Sequence, residues 1–183
     1  DGTGVLRVVA TPGIAAVVAA VAPGLAVEEV AAPGPATSID LRAAGWAEAT
    51  MLLAAASGAT GPVVAPGGGE AEAELTAAGA VRLRVRAGDP LDEVVLRSYC
   101  VGAAHQALSW VRSEGLAVTG EGAVEDLTIR SFGILKASEM PPVEVEVDPS
   151  GGEPVNASDA AFVAVATAAW IAAGAPGDLP VGT

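Results

Sequence analysis

Glu153 and Gln106 have the side-chain type and the sequence setting to do chemistry. Glu153 stands in Gly151-Gly152-Glu153-Pro154. Glycines ahead of a carboxylate let a ligand come close to the backbone, and the proline fixes the direction of exit. A carboxylate so placed becomes a base when a cavity partly desolvates it and lifts its pKa toward neutrality. The bland use of the same turn is a solvated glutamate ahead of a helix. Gln106 follows Gly102-Ala103-Ala104-His105, and its amide both donates and accepts, which suits a ligand ring or a phosphate. Its bland counterpart is a half-exposed helix residue. Gly102 and Ala103 are small, leaving room for something bulky to approach.

The other chemically capable residues fall to simpler readings. His105 is the only histidine, so no second imidazole completes a metal site, and no Gly-x-Ser-x-Gly elbow supplies a triad nucleophile. Cys100 lies mid-helix between Tyr99 and Val101 and reads as a buried, inert thiol. As the lone cysteine it excludes an internal disulfide and any multi-cysteine zinc or iron–sulfur site. Glu144 and Glu146 share one face of a strand and read as its wet side. Arg82, Arg84 and Arg86 form a basic stripe that could hold an anion or a partner's acidic patch, or serve only solubility and edge protection. Pro66-Gly67-Gly68-Gly69 lacks the Lys-Ser/Thr ending of a phosphate loop and reads as a linker.

These residues need elements to hold them. Val81-Arg82-Leu83-Arg84-Val85-Arg86 alternates with period two, which predicts a strand with one apolar and one arginine face. Residues 92–112 predict a long helix with Tyr99, Ala103, Gln106 and Trp110 along one stripe. Residues 116–118 and 124–129 predict a hairpin, and Val143-Glu144-Val145-Glu146-Val147 a half-buried strand. A turn-rich stretch at 149–156 leads to a helix at 158–173, apolar nearly all round and so buried. Earlier in the chain, residues 5–9 and 27–30 read as strands and 14–21 as a helix after Pro12-Gly13. A loop at Pro33-Gly34-Pro35 precedes a helix over 40–56 capped by Ser38 or Asp40. The Gly and Pro cluster at 61–69 predicts the boundary between an N-terminal α/β region (1–65) and a second domain (70–183).

Composition bounds the partners. The chain has 183 residues with 9 basic and 22 acidic side chains, a net charge of −13, which repels phosphate backbones and excludes nucleic-acid binding. A free anionic substrate would need a locally basic site, for which Arg82, Arg84, Arg86 and Arg97 are the candidates. Hydrophobic residues reach 51%, but aromatics only 3%, and much of the rest is alanine, which buries little area. Close helix approach or a partner surface must compensate. The longest apolar runs, 14–22 and 160–174, fall short of the roughly 20 residues that span a bilayer, so no membrane insertion is expected. A lone cysteine fits a reducing compartment, and the expected location is cytoplasmic. The chain opens on Asp1, as a processed chain or a piece of a longer one would.

Four segments in order resemble the C-terminal part of the molybdenum-binding large subunit of the xanthine dehydrogenase and carbon monoxide dehydrogenase family. Gly102-Ala103-Ala104-His105-Gln106-Ala107-Leu108 is similar to the family's Gly-Ala-x-x-Gln-Gly-Leu helix. Residues 128–142 are similar to its segment ending in Pro-Pro, the Val/Glu strand follows, and Gly152-Glu153-Pro154 with the Ala-rich helix is similar to its Gly-Glu-Pro-Pro and closing helix. The resemblance covers about half the chain and implies an α+β fold, a small mixed sheet layered with helices. It implies Glu153 as catalytic base in hydroxylating purines, aldehydes or N-heterocycles, or in oxidising carbon monoxide. Gln106, Gly102 and Gly152 would be contacts to a molybdenum–pterin cofactor. Ahead of the Glu the family carries Gly-x-Lys-Gly-x-Gly, whereas this chain has Ser150-Gly151-Gly152. Family large subunits are several times longer, so the cofactor would be shared with a larger molybdenum-binding chain, in a complex with flavin and iron–sulfur subunits. A non-catalytic assembly partner and a stand-alone acidic binding domain are the alternatives.

Overall fold

A computed structural model describes residues 3–31, 43–57, 60–125, 128–177 and 179–181. The loop at 33–35 and the cap at Ser38 or Asp40 lie outside them. The fold is α+β, and the chain divides into two compact units, Asp1–Ala49 and Thr50–Thr183. The division falls within helix α2 (Ala43–Ser57), and the 61–69 segment belongs wholly to the second unit. Among the described residues no helix is long and apolar enough to cross a membrane.

The first unit contains strand β1 (Gly4–Val9), helix α1 (Ile14–Val21) and strand β2 (Leu25–Val30). β1 and β2 pair in parallel, from Gly4 opposite Leu25 to Val9 opposite Val30. The β-branched runs expected as strands are strands, and Pro12-Gly13 starts the helix with Gly13 at φ +83°. Thr11 is buried at the turn, where its hydroxyl donates to the Val9 carbonyl and its N–H to Glu29 Oε2.

The second unit is built on a four-stranded sheet with the order β3 (Val63–Val64), β4 (Glu70–Leu75), β5 (Val81–Arg86), β8 (Val143–Val147). The first two pairings are antiparallel and β5–β8 is parallel. All three long strands alternate small or apolar residues with charged ones. One face therefore collects Ala71, Ala73, Val81, Leu83 and Val85, each less than one-tenth exposed. Against that face pack α5 (Ser158–Ala172), on β4 and β5, and α3 (Glu93–Arg112), on β8. The two helices also pack on each other, and Ala104, Ala107, Leu108, Val111, Ala161, Val165 and Ala168 on them are buried. Alanines there remove side-chain bulk, and the Trp110 ring stacks on Phe162 with centroids 5.5 Å apart. The closing helix is buried nearly all round, as its composition requires.

Two segments depart from expectation. The Gly and Pro cluster at 61–69 holds β3, and Gly69, in the part read as a linker, lies against the backbone of Asn156 and Ala157 so closely that a Cβ there would overlap them. Gly69 serves close packing, not freedom. The strand expected over 124–129 includes β7 (Val124–Glu125), paired with β6 (Ala117–Val118), but Ile129, expected as strand, opens the helical turn α4 (Ile129–Phe132). Thr128 imposes it: its hydroxyl accepts from the Ser131 N–H while Ser131 Oγ accepts from the Thr128 N–H. Leu83 sits at the centre of the apolar face at 1% exposure. Leu83→Ala should cost about 2–5 kcal/mol, measured as a lower urea midpoint with an unchanged slope.

Candidate functional site

Because β5 and β8 run parallel, the loops that leave them emerge at the same end of the sheet. In open parallel α/β sheets ligands bind in the crevice outside the carboxyl ends of the strands, and this mixed sheet has one parallel pair with such an end. The two loops stay attached to each other beyond the strands. The Asp148 N–H donates to the Val85 carbonyl at 2.8 Å, and the Gly88 N–H to Ser150 Oγ at 3.0 Å. The Asp89 N–H donates to the Gly152 carbonyl at 3.0 Å, and the Val155 N–H to the Ala87 carbonyl at 3.0 Å. Ser150 Oγ also donates to the Gly88 carbonyl at 3.4 Å. Residues 148–155 thus run as an irregular ladder along 85–89, bent where Gly151 and Gly152 take φ of +61° and +90°.

Glu153 sits inside this ladder. Its main chain is pinned on both sides by the Gly152 and Val155 bonds, and its carbonyl lies against Gly88, where a Cβ would overlap it. Its side chain is exposed. Pro154 and Val155 turn away to form, with Pro90, Leu91, Val95, Leu96 and Tyr99, an open groove of about 510 Å³ at the start of α3. Asp92 caps that helix, its Oδ1 accepting from the Val94 and Val95 N–H groups.

Gln106 and Gly102 are exposed on α3, and a Cβ at Gly102 would meet nothing within 4 Å. Val95, Tyr99, Gly102 and Gln106 recur at helical spacing and make one continuous exposed stripe. Ala103, placed on the same stripe by spacing, is buried, and Trp110 is half-buried under Phe162. The groove reaches Tyr99, and Gln106 lies two turns further along, about 10 Å at 1.5 Å per residue. The structure therefore places Gly152 with Glu153 in one turn and Gly102 with Gln106 on one helix face. Neither Glu153 nor Gln106 lines the groove that joins α3 to the turn. Gly88, Asp148 and Ser150 were not singled out from sequence, because a contact across 62 residues leaves no local signal.

The arginine stripe is not a free anion site. Arg82 faces Glu74 and Glu144 across the sheet, Arg84 faces Glu72 and Glu146, and Arg86 faces Glu70. Ion pairs link Arg82 to Glu144 at 3.5 Å, Arg84 to Glu146 at 3.6 Å and Arg86 to Glu70 at 3.1 Å. Asp148 pairs with both Arg84 and Arg86. Three arginines against six carboxylates leave this face at 3 − 6 = −3, so the expectation of a basic site fails here. Arg97 is also occupied: it bridges Glu93 and the Val145 carbonyl on the free edge of β8. Glu144 and Glu146 are the wet face of their strand.

His105 Nε2 bonds the Leu135 carbonyl at 2.6 Å and so ties α3 to the segment after α4. Cys100 is fully buried, and desolvation pushes its thiol up to about 11 against a smaller opposing effect of Arg97. Among the described residues no three His, Cys, Asp or Glu side chains gather to hold a metal. The open space over Gly102, Gly151 and Gly152 would admit one side of a large cofactor, and all three residues are exposed rather than enclosed. A molybdenum–pterin group does not fit within this chain alone.

No family model matches the sequence, and no curated protein is found to be similar to it. Among solved structures the chain is similar to quinoline 2-oxidoreductase from Pseudomonas putida 86, at 12% identity and a TM-score of 0.49. That likeness covers 56% of this chain and 15% of the other. It is also similar to the Cu,Mo-CO dehydrogenase in its carbon monoxide reduced state, at 12% identity and a TM-score of 0.48 over 56% and 15% of the two chains. Reconstituted CO dehydrogenase from Oligotropha carboxidovorans gives 13%, 0.47, 56% and 14%. The chain spans only about 15% of the length of the chains it resembles. Likeness at this identity and score assigns no activity.

The buried thiol yields a test. Cys100 in the folded chain should resist iodoacetamide at about pH 8 and react on unfolding. The unfolded thiol ionises near its ordinary 9.0 and the folded one near 11, so stability should fall as pH rises through that window. Cys100→Ala should remove this part of the pH dependence, measured by urea unfolding at several pH values.

Proposed function

We propose that this chain is a small subunit or C-terminal segment of a xanthine-dehydrogenase-like molybdenum hydroxylase. It packs on a larger cofactor-binding chain and contributes the Glu153 turn to the active site. The observation that carries this reading is an exposed carboxylate on a main chain fixed from both sides. A merely solvated glutamate has no need of a rigid turn. A carboxylate offered rigidly at a surface becomes useful when a second surface closes over it, because desolvation then raises its pKa into the range of a general base. The ordered sequence resemblance supports the same assignment. So does the exposed stripe of Val95, Tyr99, Gly102 and Gln106, which gives α3 an amide-bearing face for a neighbour.

In this reading Glu153 holds and moves a proton, Gln106 orients the cofactor through its amide, and Gly102 and Gly152 leave space for it. The molybdenum–pterin group supplies the redox chemistry and is held chiefly by the larger chain, with flavin and iron–sulfur subunits taking the electrons onward. The complex is expected in the cytoplasm. A second reading, a non-catalytic assembly partner of such an enzyme, is favoured by the openness of the surface around Glu153 and by the absence of a chamber among the described residues.

Isolation of the native complex separates the two. The catalytic reading expects molybdenum by elemental analysis, pterin by oxidative fluorescence, and dye reduction with at least one of hypoxanthine, benzaldehyde, quinoline or carbon monoxide. Glu153→Gln should then lower turnover by at least about a hundredfold while leaving metal content unchanged. Full turnover in that variant leaves only the assembly role.

A further inference from the structure

We infer that Ser150 and Gly88 form a clasp whose task is to position Glu153, an inference that rests on the catalytic reading of that residue. The Ser150 hydroxyl engages both polar groups of one peptide unit's residue, accepting from the Gly88 N–H and donating to the Gly88 carbonyl. Gly88 in turn stands at φ +69° with no room for a Cβ, because the Glu153 carbonyl occupies that space. One residue therefore touches the bend before the glutamate and the other touches the glutamate itself. The strands that the two loops leave are already joined through Val85, and Ser150 is exposed.

The physical need is clear from the bend. Gly151 and Gly152 have more conformational freedom than other residues, and two of them directly before a reactive side chain would leave it poorly placed. The bond that the Gly152 carbonyl accepts and the bond that the Val155 N–H donates flank Glu153, but both depend on residues 87–89 holding their own course. Ser150 fixes that course at Gly88. Misplacement of a reacting group by about 1 Å can cost on the order of a hundredfold in rate. The clasp is a positioning device, acting through Glu153.

The test uses the assembled complex and the full chain. Ser150→Ala removes both bonds without adding bulk, and Ser150→Thr keeps the hydroxyl. Gly88→Ala drives a methyl into the Glu153 carbonyl. Ser150→Ala should lower kcat by about tenfold to a hundredfold with KM within about twofold, Ser150→Thr should restore it, and Gly88→Ala should be at least as damaging. In the full chain, Ser150→Ala should speed amide exchange at Asp89 and Val155 while leaving exchange in α5 unchanged. Unchanged exchange at Asp89 and Val155 overturns the clasp whatever the activity. Unchanged kcat in Ser150→Ala, alongside a dead Glu153→Gln, overturns its positioning role while the catalytic reading stands. A fully active Glu153→Gln removes the catalytic reading and this inference with it.

Discussion

The parallel pairing of β5 with β8 is the constraint on which the larger unit depends. It joins segments about sixty residues apart, and the closure of so long a loop carries an entropic cost that grows only slowly with length. Burial offsets it. Val81, Leu83 and Val85 are at most 1% exposed, and each contributes on the order of 1.5–3 kcal/mol relative to an exposed side chain. Antiparallel neighbours could have been joined by a short turn. A parallel neighbour requires a crossover, and α3 supplies it while covering β8. The same geometry sends both strand exits to one end, which is why residue 88 and residue 150 meet at all.

Charge on the opposite face follows from that register. Period-two alternation in β4, β5 and β8 puts every arginine of β5 between carboxylates, so the sheet is laced by exposed ion pairs. Exposed pairs of this kind contribute roughly 0–1 kcal/mol each, and less at high salt. Their larger effect is to fix the register, since a one-residue slip would bury a row of glutamates. The groove of about 630 Å³ on this face is bordered by Glu72, Glu74, Glu144 and Glu146 and carries net negative charge. It is unsuited to the anions that the arginines alone would have invited.

Much of this was legible in the sequence where side-chain contrast is strong. Val/Arg alternation marked β5 and Val/Glu alternation marked β8 to the residue, and the helix expected over 92–112 is α3, one residue shorter at its start. β4 was not legible, because its apolar partners to glutamate are alanines, whose contrast with a loop is slight. The role of Gly69 was hidden for a related reason: a glycine that permits close backbone packing looks the same as one that confers freedom. Of the candidate site, the residue types at Glu153 and Gln106 could be picked out, but their exposure and the ladder that fixes the turn could not. Those depend on which loops lie side by side, and register across a long crossover is a tertiary property.

Arg97 carries a consequence of its own. A five-residue run of alternating valine and glutamate at the margin of a sheet is a ready template for a second chain, because its outward amide and carbonyl groups ask for partners. The Arg97 guanidinium fills the middle of that margin by bonding the Val145 carbonyl, and Glu93 holds it there. An alanine-rich protein with few large side chains has a modest core to protect it from self-association. One carbonyl occupied by a cation, beside glutamates that repel their own copies, disfavours addition of another strand at this margin without enlarging that core.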